Sequence, residues 1–535
     1  MNIAQRKVSG VPGAAGWYPV SAMDRPSALA LVGLLLGAPA AEAAGGQYLV
    51  GYAHPPGAGE RAWIEARRGT VVRALPRAGA LAVRLEPSEL PALRARPGVL
   101  YVEEDALRWP LDLAARQLVP ALANGLYGLV RTRMTDVQRR GISGDGVVVG
   151  VADSALDCGH PDIAPRLVAV HDLLGADAAC AVDDAATHGT HVAGIVLAAN
   201  NRVGVVGGAP GAALAHARVC DGGCRTSAII AGVSWLADVV GARIVNLSLG
   251  GDQFLETEAL FYRRLRDQGV LVVAAAGNEA EKPVSFPAGY EGVVAVGATG
   301  PDDGLAAFSS RGTDLDLVAP GVGVLSAVPR GTGQDSAVEQ LLRRRRIALP
   351  AVGLVFAGQA EALRGRLVAC GLGRPEEFSR AVRGQIALIQ RGEILFSEKV
   401  FNAMAAGAAG VVIVNHEPGP LHGTLREARA PDGRPWIPAV GVTDLDGERL
   451  RRESLGRAVL LRLRRSDWDS LSGTSMAAPH VSAALALLWS TDPAASADEV
   501  EARLFASSTD LGPPGWDSSF GHGRLDAFEA VFPSR

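Results

Sequence analysis

Between residues 146 and 329, short apolar runs alternate with amphipathic stretches. GVVVGVAD (146–153), ALAHARV (213–219), ARIVNLSLG (242–250), GVLVVAAAGN (269–278) and GVVAVGA (292–298) are almost continuously apolar. Runs of this length read as strands buried on both faces. Residues 189–199, 227–240 and 257–269 carry helical periodicity. Alternating β and α predicts a parallel sheet with helices on both sides. Sites in such sheets form at the carboxyl ends of strands. Those ends here read Asp153, Ser248-Leu249-Gly250 and Gly277-Asn278.

Two further textures flank this core. Residues 47–109 hold YLVGY, TVVRAL, ALAVRL and VLYVEED, with helical stretches near 60–68 and 88–96. That order predicts a small β-α-β-β-α-β module. Residues 331–465 interrupt the α/β pattern. IALIQRG and GVVIVNH there read as strands around a helix, and Arg343–Arg346 is a four-arginine run that reads as a solvated surface or a processing site. The earlier pattern resumes at Ser475, so residues 331–465 read as an insertion.

Composition adds exclusions. The 535 residues carry a net charge of −4, which argues against a nucleic-acid partner. No stretch reaches the roughly 18–20 uncharged apolar residues of a membrane span. Residues 28–36, ALALVGLLL, precede two small-x-small patterns, as a secretory signal does, and Met23 is the expected start. Export would place the five cysteines in an oxidising compartment.

Three strings carry candidate chemistry: VGVADSALDCGHPD (149–162), HGTHVAG (188–194) and GTSMAAPH (473–480). A serine hydroxyl needs an adjacent base to become a nucleophile. His188 can take the proton of Ser475, and Asp153 can hold the imidazole tautomer. Backbone N–H groups at the start of the Ser475 helix, with Asn278, can stabilise an oxyanion.

These strings, in this order, resemble those of the subtilisin-like serine proteases over about residues 127–329 and 466–532. The resemblance implies a three-layer α/β fold with a parallel sheet. It implies a secreted endopeptidase, exported to the periplasm or beyond, that works through an acyl-enzyme and needs no catalytic cofactor. Ser248, Leu249, Gly250, Gly222 and Gly223 match substrate-pairing positions. Ala276, Gly277 and Phe286-Pro287-Ala288 match the walls of the primary specificity pocket. Glu279 matches a rim acid, which Lys282 could neutralise. Asp162 and Asn201, in the latter case within LAANNRVGV, match side-chain ligands of a structural calcium. Cys220–Cys224 and Cys158–Cys180 are candidate disulfides. Ala155 stands where the family has Gly, and His191 is expected to be structural.

Residues 47–109 resemble the family's ferredoxin-like propeptide, an intramolecular inhibitor cut away between Trp109 and Tyr127. Residues 384–416 resemble a protease-associated domain, β-rich and of α+β class. Ile394 replaces its usual cysteine, leaving Cys370 as a free thiol. The expected order is leader and signal (1–44), propeptide (45–109), peptidase (110–330), insert (331–465) and peptidase again (466–535), acting on peptides as a monomer. Rival readings are a peptide-binding pseudoprotease, or a processing convertase or peptidyl ligase on the same fold.

Overall fold

The computed structural model describes residues 45–111, 126–175, 178–343, 345–417, 419 and 421–534. The expected leader and signal, residues 1–44, lie outside them.

Seven parallel strands form the central sheet. In spatial order they are Leu317–Pro320, Val293–Thr299, Leu271–Ala275, Ile244–Leu247, Val148–Asp153, Ala213–Arg218 and Leu167–Asp172. The five apolar runs supply the inner five strands. The two edge strands escape sequence reading for a physical reason. Leu167–Asp172, LVAVHD, is only half buried and so lacks the unbroken apolar signature.

Strand pleating sends alternate residues to two cores. Val149 and Val151 join one core with helices Thr187–Leu197 and Thr474–Thr491, while Ala152 joins the other with Thr226–Trp235 and Glu256–Asp267. The result is the expected three-layer α/β fold. Helix Thr474–Thr491 is buried on every side from Thr474 to Trp489, which explains its lack of a polar face.

The first module is a four-stranded antiparallel sheet in the order Thr70–Leu75, Ala80–Leu85, Gly46–Tyr52, Val99–Glu104, with helices Ala58–Glu65 and Leu90–Arg94. Both sheet faces are apolar, so each needs a cover. Tyr48, Val50, Leu81 and Val83 pack on the module's own helices, whereas Leu49, Ala80 and Ala82 join the core of the larger unit. The acids of VLYVEED cap two helices across this contact. Glu103 accepts the N–H groups of Glu256 and Thr257, both at 3.0 Å. Asp105 accepts Ser227 N–H at 2.9 Å and its hydroxyl at 2.6 Å. Carboxylates at helix N-termini satisfy orphan donors and complement the dipole. Past these caps the chain runs as strand Leu107–Pro110, antiparallel between Gly223–Arg225 and Leu249–Gly250.

The insert forms an eight-stranded mixed sheet from Arg345–Pro350 to Val352–Gly353, with helices Phe396–Ala405 and Asp444–Ser454. The Val324–Ala327 and Trp468–Leu471 pair leads into and out of it. Arg343, Arg345 and Arg346 stand exposed at a hairpin turn, and Cys370 is buried as a free thiol. Among the described residues, no helix is long and apolar enough to cross a membrane.

Candidate active site

The sheet and two helix starts converge on one cleft. Asp153 ends strand Val148–Asp153, His188 is in the first turn of Thr187–Leu197, and Ser475 is in the first turn of Thr474–Thr491. His188 Nδ1 lies 2.7 Å from Asp153 Oδ1, and both side chains are buried. Burial alone would raise the Asp153 carboxyl, but His188 and the Ser154 N–H outweigh it and hold the carboxyl below its ordinary value. His216 donates to the Ser154 carbonyl at 2.7 Å, and burial depresses its pKa, which favours a neutral ring. Ala155 has no left-handed backbone, so no glycine is needed there. The close approach falls on Gly189, where a Cβ would lie 2.6 Å from the Ala155 carbonyl oxygen. His191 is buried and donates from Nε2 to the Asp469 carbonyl at 3.2 Å; burial lowers its pKa to about 3.

The Ser475 hydroxyl donates to the Ser248 carbonyl at 2.9 Å. The Ser248 hydroxyl donates in turn to the Ser475 carbonyl at 2.8 Å, and Asn246 and Ser482 extend this buried network.

The chain's own Leu111 occupies the centre of the cleft. Its carbonyl oxygen accepts Asn278 Nδ2–H at 2.7 Å and Ser475 N–H at 3.3 Å. Its N–H donates to the Ser248 carbonyl at 3.3 Å. The Asn278 amide is oriented from behind, because its Oδ1 accepts the Thr474 N–H at 2.9 Å and the Thr474 hydroxyl at 3.0 Å. Thr474 is a positioning residue the sequence reading passed over, although it stands inside GTSMAAPH.

Strand addition extends away from Leu111. Leu249 faces Pro110 and Gly250 faces Trp109, while Cys224 faces Arg108 and Arg225 faces Leu107. Gly222 sits at a turn with φ 72°, outside the paired register, whereas Gly223 opens the paired strand Gly223–Arg225 and lies beneath the Trp109 ring. The Cys220–Cys224 disulfide closes that turn, and Cys158–Cys180 closes the loop after Asp153.

Leu111 lines a cavity of about 410 Å³ together with Gly250, Gly277, Asn278, Ser285 and Ser310, and the same space continues along Leu107–Trp109. Ala276 anchors the wall through its carbonyl, which accepts the Ser285 N–H at 2.8 Å. Phe286 pairs with Gly251 across the same wall, and the Phe286–Pro287 peptide is cis. Glu279 is half exposed and paired with Lys282 at 2.5 Å, so it offers no free charge to a substrate.

Asp162 and Asn201 do come together, but not as a cation site. Asn201 Nδ2 donates to Asp162 Oδ1 at 2.9 Å. Asp162 Oδ2 accepts Trp468 Nε1–H at 2.7 Å and Val205 N–H at 3.3 Å, while Asn201 Oδ1 accepts Val203 N–H at 2.8 Å. Both Asp162 carboxylate oxygens and the Asn201 amide oxygen face a donor, and N–H groups repel a cation. The residues in this arrangement do not fit calcium.

Comparison with known proteins gives the same frame. The sequence profile described as the Subtilase family matches residues 144–344 and 454–523, and that of the PA domain matches 363–450. The chain is 38% identical to alkaline elastase YaB of Bacillus sp. (strain YaB) over 258 residues, 48% of this chain and 64% of that protein. It is 37% identical to an alkaline protease of Shouchella clausii over 254 residues, 47% and 63%. The chain therefore spans just under two thirds of the length of these relatives. With subtilisin E of Bacillus subtilis (strain 168) it shares 34% over 275 residues, 50% and 68%. A psychrophilic subtilisin-like protease from Pseudoalteromonas sp. AS-11 superposes with a TM-score of 0.58 at 26% identity, covering 76% of this chain and 96% of that one. Fervidolysin from Fervidobacterium pennivorans, also at 0.58 but 22% identical, shares the fold over 92% of this chain and 61% of its own. With the profile matching more than half of its residues, the chain belongs to the subtilase family.

Proposed function

We propose that this protein is an exported serine endopeptidase, made as a precursor that cuts itself between Leu111 and Asp112. The observation that carries this reading is the Leu111 carbonyl, held by Asn278 Nδ2 and Ser475 N–H beside the Ser475 hydroxyl. Two N–H donors on one carbonyl oxygen are what an acyl-transfer oxyanion needs, and this supports the reading.

In the proposed reaction Ser475 Oγ leaves the Ser248 carbonyl and attacks the Leu111 carbonyl carbon. His188 takes the hydroxyl proton, and Asp153 stabilises the imidazolium. The carbonyl becomes an oxyanion on Asn278 Nδ2 and Ser475 N–H. Collapse breaks the Leu111–Asp112 bond as His188 gives its proton to the leaving Asp112 nitrogen. Water, deprotonated by the same histidine, then hydrolyses the Leu111 ester and frees Ser475. No cofactor enters these steps. Peptide substrates would add to the same two strands after residues 45–111 leave.

The apolar run at 28–36 with its small-x-small sites supports export, and two disulfides fit an oxidising compartment.

Ser475→Ala, expressed as the full chain, is expected to stay at precursor size. The wild-type mature protein is expected to begin at Asp112 by N-terminal sequencing and to label at Ser475 with a fluorophosphonate. Maturation of purified Ser475→Ala, or an unreactive wild-type Ser475, overturns the reading.

A further inference from the structure

We infer that the cleft selects substrates with arginine at the fourth residue before the scissile bond, and that Glu258 is the specificity-determining acid. This rests on the peptidase reading, with Leu111 as the residue whose carbonyl is attacked; Arg108 is then the fourth residue upstream.

Strand alternation drives Arg108 inward while Leu107 and Trp109 face solvent. Arg108 is fully buried, and so is the acid it meets. Arg108 Nη2 lies 2.5 Å from Glu258 Oε2, with side chains 1% and 0% exposed. The same nitrogen donates to the Gln253 carbonyl at 2.7 Å. Glu258 Oε2 also accepts the Tyr290 hydroxyl at 2.9 Å, and Tyr290 is itself fixed by Leu255 N–H at 2.8 Å. Gly251 makes the room: a Cβ there would lie 3.2 Å from Arg108 Nη1 and 3.3 Å from its Cδ.

Arg108 belongs to the segment that leaves. Its departure strips a buried carboxylate of its counter-ion, and a neutral side chain entering in its place leaves that charge uncompensated. A guanidinium restores the ion pair and the Gln253 bond together, both through the one terminal nitrogen that Arg108 uses. Lysine restores the charge as a compact, strongly hydrated ammonium, which loses more on entering a buried site. The expected order is therefore arginine, then lysine, then neutral side chains. Glu258 lies on the buried face of helix Glu256–Asp267, whereas Glu279 stands at the surface and is paired with Lys282.

The test uses matured enzyme and four peptide nitroanilides, acetyl-X-Trp-Pro-Leu, in which X is Arg, Lys, citrulline or Ala. Citrulline keeps the shape of arginine without its charge, so this arm needs no variant. The Arg peptide is expected to exceed the citrulline peptide by at least about 30-fold in kcat/KM. In Glu258→Gln that ratio is expected to fall to a few-fold. In Glu258→Leu the preference is expected to pass to apolar side chains. Equal use of Arg and citrulline by wild-type enzyme, with Ser475 reactive, overturns the acid site and leaves the peptidase reading intact. Failure to cleave any of the four with Ser475 unreactive overturns the peptidase reading, and this inference with it.

Discussion

Gly250→Ala tests whether the Leu111 cavity is the primary specificity pocket. Gly250 pairs with Trp109 on strand Leu249–Gly250 and has no left-handed backbone, so alanine adopts its conformation without strain. The effect is purely spatial. A Cβ at position 250 would lie 2.9 Å from Leu111 Cδ1, 2.6 Å from Ser285 Oγ and 3.2 Å from the Phe286 carbonyl oxygen. The serine hydroxyl can rotate away, but the backbone carbonyl cannot, so the leucine end must yield. Full burial of a leucine side chain is worth about 1.5–3 kcal/mol; Leu111 is half-buried, so losing its contacts costs about 1–2 kcal/mol, or about 5–30-fold in kcat/KM. Wild-type enzyme is expected to prefer leucine over alanine at the scissile residue by about that factor, and Gly250→Ala to lose or invert the preference. Paired nitroanilides differing only at that residue measure it. The precursor offers a second assay. Gly250→Ala is expected to mature slowly, and Leu111→Ala added to it to restore the rate, a coupling that two independent sites would not show. An unchanged Leu-to-Ala ratio in Gly250→Ala would refute the assignment.

Asn278→Leu removes the side-chain oxyanion donor at similar size. We expect kcat to fall by about 100-fold or more with little change in KM, a magnitude known for subtilisin's own oxyanion asparagine rather than worked from these distances. An unchanged kcat in steady-state assays contradicts the oxyanion role. Asp316 accepts the Ala295 N–H at 2.8 Å, and burial raises its pKa from 3.8 to about 7. A raised carboxyl contributes stability that is present below pH 3.8 and lost as pH rises through 7. The shift bounds the loss at roughly 4 kcal/mol, and partial exposure reduces the expectation to about 2 kcal/mol. Asp316→Asn is therefore expected to raise Tm at pH 8 and to leave it unchanged near pH 3.5; equal effects at both would disprove the linkage. Trp468→Phe removes the indole donor to Asp162 and is expected to cost about 1–3 kcal/mol in denaturant unfolding. EGTA is expected to leave the unfolding midpoint of wild-type protein unchanged. A midpoint that falls in EGTA and recovers with calcium would return Asp162 and Asn201 to a metal-binding role.

What the sequence made legible was local. Asp153, His188, Ser475 and Asn278 each sit at the end of a strand or the start of a helix, where a short string carries both the turn chemistry and the reacting group. The central strands were legible because burial on both faces leaves an unbroken apolar run. Leu111 was not legible. Nothing in LRWPL marks its carbonyl as the one that reaches Asn278, because that register is set by strands more than 110 residues downstream. Asp162 and Asn201 show the opposite failure. Their match to a family loop implies a calcium site, yet Trp468 arrives from 306 positions away and fills the carboxylate with an N–H. Glu258 had a signal that went unused: it shares an i, i+3, i+4, i+7 stripe with Phe261, Tyr262 and Leu265, so a charge lies on the face the helix buries.

The two acids of the cleft show why proximity alone does not assign specificity. Glu279 stands beside the oxyanion residue, but its side chain is 57% exposed and already meets Lys282. Water and that partner screen it, and such a pair is worth little to an incoming side chain. Glu258 lies farther along the chain's path through the cleft and is wholly buried, so its charge demands a partner. The same argument separates cutting from release in the proposed maturation. Cleavage after Leu111 breaks one covalent bond, yet it leaves in place the Arg108–Glu258 pair, the two strand pairings and the helix caps at Glu103 and Asp105. The severed segment then remains the best occupant of its own cleft until it unfolds or is itself digested. Under that proposal, weakening Glu258 is expected to hasten release of residues 45–111 and to blunt selectivity together, since both depend on the same buried carboxylate.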